Sequence, residues 1–235
     1  MSWFSKLIGN ETRRDVLLSS EQRQVIADWQ SLPSPDLNLP HQNSRYVVAD
    51  VESSGLDMAT DRLLSIGAVA VVNGVIDVSD AFEVVLRQDE EADILVDRIG
   101  GSVQREGMDP PEALIEFLRF VGKSPLVAYH ALFEQAMIAR AMNERLGLAF
   151  DPAWIDLAWV MPDLFREGNT DPADLDDWLG LFGIQHISRH NAVSDAYATA
   201  QLLQVAIARG TQRHALSPAS FLQIEKSRRW MFRAG

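Results

Sequence analysis

At 235 residues, 47% hydrophobic and 23% charged, the chain can bury the core of one good-sized domain with appendages, and wholesale disorder is excluded. It has no cysteine and no apolar run near the roughly 18 residues of a spanning helix, which excludes a disulfide scaffold, a thiol nucleophile and a thiolate zinc site, and predicts a soluble, unexported, cytoplasmic protein without a membrane partner. The net charge of −12 argues against a uniformly basic nucleic-acid surface, but residues 209 to 235 carry six Lys and Arg against Glu225 alone, so +5 there leaves −17 on the rest.

Residues 1 to 43 read as an extension: Ser20 can cap a short helix running to about Trp29, and the prolines of SLPSPDLNLPHQN make 31 to 43 a linker. From Arg45 the texture changes to YVVADV, a short apolar run suited to a strand, followed by a Ser-Ser-Gly turn. LLSIGAVAVVNGVIDVSDAFEVVL then offers two strand-like runs joined by Asn73-Gly74, a strong hairpin signal. Pro110 and Pro111 open a helix with Leu114, Ile115, Leu118 and Val121 on one face, closed at Gly122.

Residues 124 to 129 are a buried-strand candidate. A second helix is predicted over 132 to 147, from Phe133, Met137, Ile138 and Ala141 at helical spacing and Gly147 as its stop. A short strand near 153 to 157 and helices near 174 to 182 and 192 to 208 follow, the last with Ala196, Ala200, Leu203 and Ile207 on one face. Strands that come first and then alternate with helices predict an α/β layered fold on a mixed sheet, with an antiparallel opening and crossover helices after it.

The chemistry-bearing residues lie at the ends of these elements. Asp50 and Glu52 close the first strand, and a period of two puts both carboxylates on one face with Val51 on the other. Two anions side by side need a cation, a shared proton or solvent, and a solvated strand end is the plain alternative. In RHNAVSDA, His190 precedes a helix that Asn191 or Ser188 can cap, and Asp195 lies in its first turns. An imidazole there, ordinarily titrating at about pH 6.5, suits a general base acting on water, while a surface histidine followed by a helix-start acid is equally ordinary. In LVAYHALFEQAMI a strand breaks at Tyr129 and His130 into a helix carrying Glu134 near its start, either an acid at the strand's carboxyl end or a simple first-turn acid.

Taken in order, D-x-E on the first strand, an acid after a strand-to-helix corner and H-x-A-x-x-D opening the last core helix resemble the DEDDh 3′ to 5′ exonucleases, the DnaQ-like group that includes proofreading subunits. The resemblance runs from 45 to about 208, through YVVADVESSGLD, DRLLSIGAVAVVNG and HNAVSDAYATAQLL. It implies an RNase H-like fold, a central mixed sheet with helices on both faces, in a domain spanning 44 to 210, with 1 to 43 as a helical extension and linker and 211 to 235 as a basic helical tail. It also implies Asp50, Glu52, Glu134 and Asp195 as metal ligands, His190 as general base, and two Mg²⁺ or Mn²⁺ ions working on an in-line phosphoryl displacement. The implied substrate is the 3′ end of single-stranded DNA or RNA, and a polymerase or repair protein is the implied kind of partner.

Two motifs depart from the family pattern. Where H-N-x-x-F-D is usual, this chain reads Tyr129, His130, Ala131, Leu132, Phe133, Glu134, which keeps the charge and lengthens the side chain by a methylene; Ser53-Ser54 stands where Thr-Thr is common. The altered second motif supports a competing expectation, a catalytically weak nucleic-acid-binding or adaptor module on the same fold. Asp156 matches a place where the family often has an acid near the site, with a minor role expected.

Gly122-Lys123-Ser124 lacks the upstream glycine of a phosphate loop and reads as a helix stop. His41, His186 and His214 show no metal-ligand spacing and are expected to be satisfied or solvated. The aspartates of GNTDPADLDDWLG are explained by loop and capping chemistry. In the tail, Trp230 and Phe232 among arginines suit base stacking, but a helix docked on its own domain is the favoured reading.

Overall fold

The computed structural model describes residues 17 to 88, 106 to 167, 174 to 188 and 191 to 234. His190 therefore lies outside the described residues, as do the first 16 residues of the N-terminal extension and the start of the GNTDPADLDDWLG run.

Helix α1 (Ser20–Ser31) opens on Ser19, whose side chain accepts from the Gln22 amide in a reciprocal capping box. A turn of 3₁₀ helix (His41–Asn43) leads into β1 (Arg45–Ser53), β2 (Leu63–Val72) and β3 (Val75–Val85). Helix α2 (Pro110–Val121), β4 (Leu126–Ala128), α3 (Leu132–Leu146) and β5 (Trp154–Asp156) follow. The chain then runs through α4 (Leu157–Leu164), α5 (Leu175–Phe182), α6 (Ala192–Gln212) and α7 (Pro218–Ala234).

The strands form one sheet in the order β3-β2-β1-β4-β5, with β3, β2 and β1 antiparallel and β1, β4 and β5 parallel. The hairpin at Asn73-Gly74 is formed, with both residues at positive φ, as a two-residue turn between twisted strands requires. Helices cover both faces, so the mixed α/β, RNase H-like architecture expected from the sequence is the one observed.

Alternation along β1 divides the core. Val47, Ala49 and Val51 pack on one face with α2 and α3, whereas Tyr46 and Val48 pack on the other with α4, α5 and α6. The terminal helices attach to opposite faces. Trp29 of α1 donates its indole N–H to the Gly122 carbonyl and packs near Phe150, while Phe221 of α7 is fully buried beside His41.

Two helices differ from the sequence-based expectation. Helix α6 runs on to Gln212, and α4 was not foreseen at all, because Pro162 lies inside it and forfeits a helical hydrogen bond. What starts α4 is Asp156, whose side chain accepts from the Ala158 amide as an N-cap.

Candidate active site

The division of β1 into two faces also sets the direction of its carboxylates. Asp50 and Glu52 share parity with Tyr46 and Val48, so they face the α6 side near the carboxyl end of the strand. The turn that follows is tied down by polar contacts. Ser53 Oγ donates to the Gly55 carbonyl at 2.6 Å, Ser54 Oγ donates to Asp61 at 2.8 Å, and the Ser54 hydroxyl accepts from the Arg62 amide at 2.8 Å.

The third acid arrives on α6, and one glycine decides how close it comes. In the β1–β2 register Asp50 lies opposite Gly67, and a Cβ on Gly67 would sit 2.1 Å from the backbone of Ala192 and Val193. The start of α6 therefore rests directly on the β2 backbone, where no side chain would fit. Asn191 fixes it there: its Oδ1 accepts from the Ser194 amide at 3.0 Å, and its Nδ2 donates to Glu83 of β3 at 2.9 Å. One turn into the helix, Asp195 meets the β1 carboxylates, and an oxygen from each of Asp50, Glu52 and Asp195 lies within 4.8 Å of the others.

Glu134 comes from a separate corner. His130, at the junction of β4 and α3, adopts φ of +62°, and its amide donates to Asp156 Oδ1 at 2.9 Å. The helix that starts after this corner carries Glu134 in its first turn, buried, with Oε2 lacking a hydrogen-bond partner. Glu134 stands outside the three-carboxylate cluster, yet near enough that its charge acts on Asp50.

Electrostatics give this arrangement its character. Burial, then the charges of Glu134, Asp195 and Glu52, hold the Asp50 carboxyl well above the ordinary carboxylate range. Burial pushes Glu134 up to about 8, with the Asp156 charge adding to it. Converging, desolvated carboxylates require protons or a cation, and a cluster whose donors are all oxygen fits hard divalent ions such as Mg²⁺ or Mn²⁺. Asp50, Glu52 and Asp195 are the residues that could hold such an ion, and Glu134 keeps a buried, unpartnered oxygen outside their cluster.

The structure thus brings together Asp50, Glu52 and Asp195, sets Glu134 beside them, and does not describe His190. It also adds a histidine that sequence spacing did not single out. His186 Nδ1 is 2.7 Å from Asp195 Oδ1, and its Nε2 is 3.3 Å from Asp176 Oδ1 on α5. The only signal for it was nearness to the HNAVSD motif, nine residues before Asp195. His41 matches expectation as a satisfied core residue, bonded to the Tyr46 hydroxyl and the Ala215 carbonyl.

The sequence profile of the family described as "Exonuclease" matches residues 47–203. The PolC-type DNA polymerase III of Thermotoga petrophila is 28% identical over 164 residues, covering 68% of this chain and 12% of its own length. That of Staphylococcus epidermidis is 31% identical over 170 residues, covering 71% of this chain and 11% of its own. The chain therefore spans about an eighth or less of these relatives. Among solved structures, Escherichia coli exonuclease I in complex with a dT13 oligonucleotide superposes with a TM-score of 0.60 at 18% identity, over 73% of this chain and 43% of that one. A likeness at that identity speaks for the fold alone.

Proposed function

The chain belongs to the exonuclease family, and on that premise we propose that it is a divalent-metal-dependent 3′ to 5′ exonuclease of single-stranded DNA. RNA is the second substrate to be compared in the test. The terminal phosphodiester is hydrolysed and a nucleoside 5′-monophosphate is released. The observation that carries this reading is the convergence of the Asp50, Glu52 and Asp195 oxygens within 4.8 Å at the carboxyl end of β1.

In this reading Asp50, Glu52, Asp195 and Glu134 would hold two Mg²⁺ or Mn²⁺ ions, which would supply positive charge against the phosphate and make water more acidic. The protein's own groups do the rest. His190, five residues before Asp195, takes the proton of the attacking water as the bond to phosphorus forms and the bond to the 3′ oxygen breaks. The shortened strand keeps that oxygen as its new 3′-hydroxyl after reprotonation. His186 orients Asp195 by a hydrogen bond at 2.7 Å. Single-stranded DNA is favoured as substrate because the exonuclease I neighbour was solved with a dT13 oligonucleotide. The PolC-type relatives support work beside a polymerase or repair protein.

The buried, unpartnered Oε2 of Glu134, on a side chain longer than the family's usual Asp, favours a second reading as a weakly catalytic binding module. One experiment separates the two: hydrolysis of 3′-labelled and 5′-labelled single-stranded DNA and RNA with Mg²⁺, with Mn²⁺ and with chelator, beside an Asp50→Ala control. Metal-dependent shortening from the 3′ end, lost in the control, supports the enzyme. Binding without shortening under every condition supports the module.

A further inference from the structure

We propose that Arg229, on the C-terminal helix α7, is a positioning residue for the site: it holds Asp156, and through Asp156 the His130 corner from which Glu134 enters. Its importance for hydrolysis rests on the function proposed above. Arg229 lies beyond the segment that the family profile matches, so the contact is a feature of this chain's own tail.

The chain of contacts is continuous. Arg229 Nη2 donates to Asp156 Oδ2 at 2.9 Å, and the other carboxylate oxygen accepts from the His130 and Ala158 amides at 2.9 and 3.1 Å. Glu225, one turn before Arg229, closes a ring: Oε1 accepts from Arg229 Nε at 2.8 Å and Oε2 accepts from the Asp156 amide at 3.0 Å. The Asp156 side chain is 3% exposed, and a carboxylate so enclosed is stable as an anion only with a cation and a full set of donors. Arg229 supplies the cation, and its fork is used on both acids.

The corner is what needs holding. A non-glycine residue at φ of +62° persists when its surroundings over-determine it; the His130 carbonyl accepts from the Phe133 amide within the corner, and the hydrogen bond from the His130 amide to Asp156 is what ties the corner to the rest of the fold. Glu134 lies four residues on, a single helical turn, so a rotation at the corner is delivered to its carboxylate. Helix α7 does not depend on Arg229 for attachment. Phe221 is buried beside His41, the Ala219 amide donates to the Leu37 carbonyl at 2.8 Å, and Phe232 packs on Trp159 at 5.4 Å.

The test uses the full chain and the variants Arg229→Ala and Arg229→Lys. Amide hydrogen exchange of the segment 129 to 134 is followed in metal-free protein, and kcat and KM are measured on 5′-labelled single-stranded DNA with Mn²⁺. Arg229→Ala is expected to speed exchange in that segment tenfold or more while α2 exchanges as before, and to lower kcat at least tenfold with KM within twofold. Arg229→Lys, keeping the charge without the fork that reaches both acids, is expected to recover only part of both. Unchanged exchange at 129 to 134 overturns the proposal, as does a change in KM alone, which would make Arg229 a direct substrate contact. Faster exchange throughout the chain in both variants also overturns it, marking Arg229 as merely structural. A wild type that hydrolyses nothing sinks the proposed function, and the exchange measurement still decides the relay.

Discussion

His186 and Asp195 are joined across the loop that precedes α6, Nδ1 to Oδ1 at 2.7 Å, while the second ring nitrogen faces Asp176 on α5 at 3.3 Å. The imidazole therefore spans two helices and fixes one of the three clustered carboxylates. Groups that orient a ligating carboxylate usually cost about 10- to 100-fold in metal affinity or activity when removed. We expect His186→Ala to weaken Mn²⁺ binding by roughly tenfold or more, measured by calorimetry on the purified protein. An unchanged Mn²⁺ affinity would reduce His186 to a loop contact.

Gly67 makes a second prediction, because the backbone of α6 occupies the space of its missing side chain. Adding a Cβ 2.1 Å from Ala192 and Val193 forces the helix start away from β2. Overpacking of this kind costs about 2 kcal/mol, which corresponds to a fall of roughly 4–8 °C in melting temperature. Asp195 moves with the helix, and displacements of about 1 Å can cost on the order of 100-fold in rate. Gly67→Ala is therefore expected to lose metal affinity far beyond its loss of stability. Wild-type Mn²⁺ binding in a destabilised Gly67→Ala protein would show that α6 is not placed by this contact.

These two residues also mark where sequence reading stops. Asp50 and Glu52 were legible because period-two alternation is local, and the cap candidates Asn191 and Ser188, of which Asn191 is the cap, marked the start of α6. The approach of α6 to β2 was not legible, since a glycine inside a strand looks the same whether its face is open or pressed on another backbone. His186 and Arg229 act on residues 9 and 73 positions away, through contacts that only the packed fold creates. Helix α4 was hidden by Pro162, and its cap, Asp156, was visible only as an acid near a strand end.

A third prediction concerns acid. His41 is buried, and because the Ala215 carbonyl can only accept, Nε2 carries the proton and Nδ1 accepts from the Tyr46 hydroxyl. Burial lowers its pKa below the ordinary 6.5. The unfolded chain then binds the proton first, so the stability tied to this neutral imidazole is present above 6.5 and is lost as pH falls through the lower folded value. His41→Gln should be less stable near neutral pH by about 1 kcal/mol, yet show a flatter stability profile on acidification. A variant as acid-sensitive as the wild type in denaturant titrations would assign the acid response to other groups.

The last prediction separates the empty site from the loaded one. With no metal, burial raises Glu134 from 4.5 to about 8, so the folded state holds its proton more tightly than the unfolded state does. Stability from this group is fully present below 4.5 and is lost as pH rises through about 8. In chelator, Glu134→Gln should melt at the wild-type temperature at pH 5 but higher at pH 8, by roughly 3 °C or more. Saturating Mn²⁺ should reverse the order at pH 8, because the wild type gains stability by binding and the amide is a poorer donor to the ion. Thermal melts at the two pH values, with and without Mn²⁺, give all four comparisons. If Mn²⁺ stabilised the Gln variant as strongly as the wild type, Glu134 would not be a ligand, and the orphaned Oε2 would need another explanation.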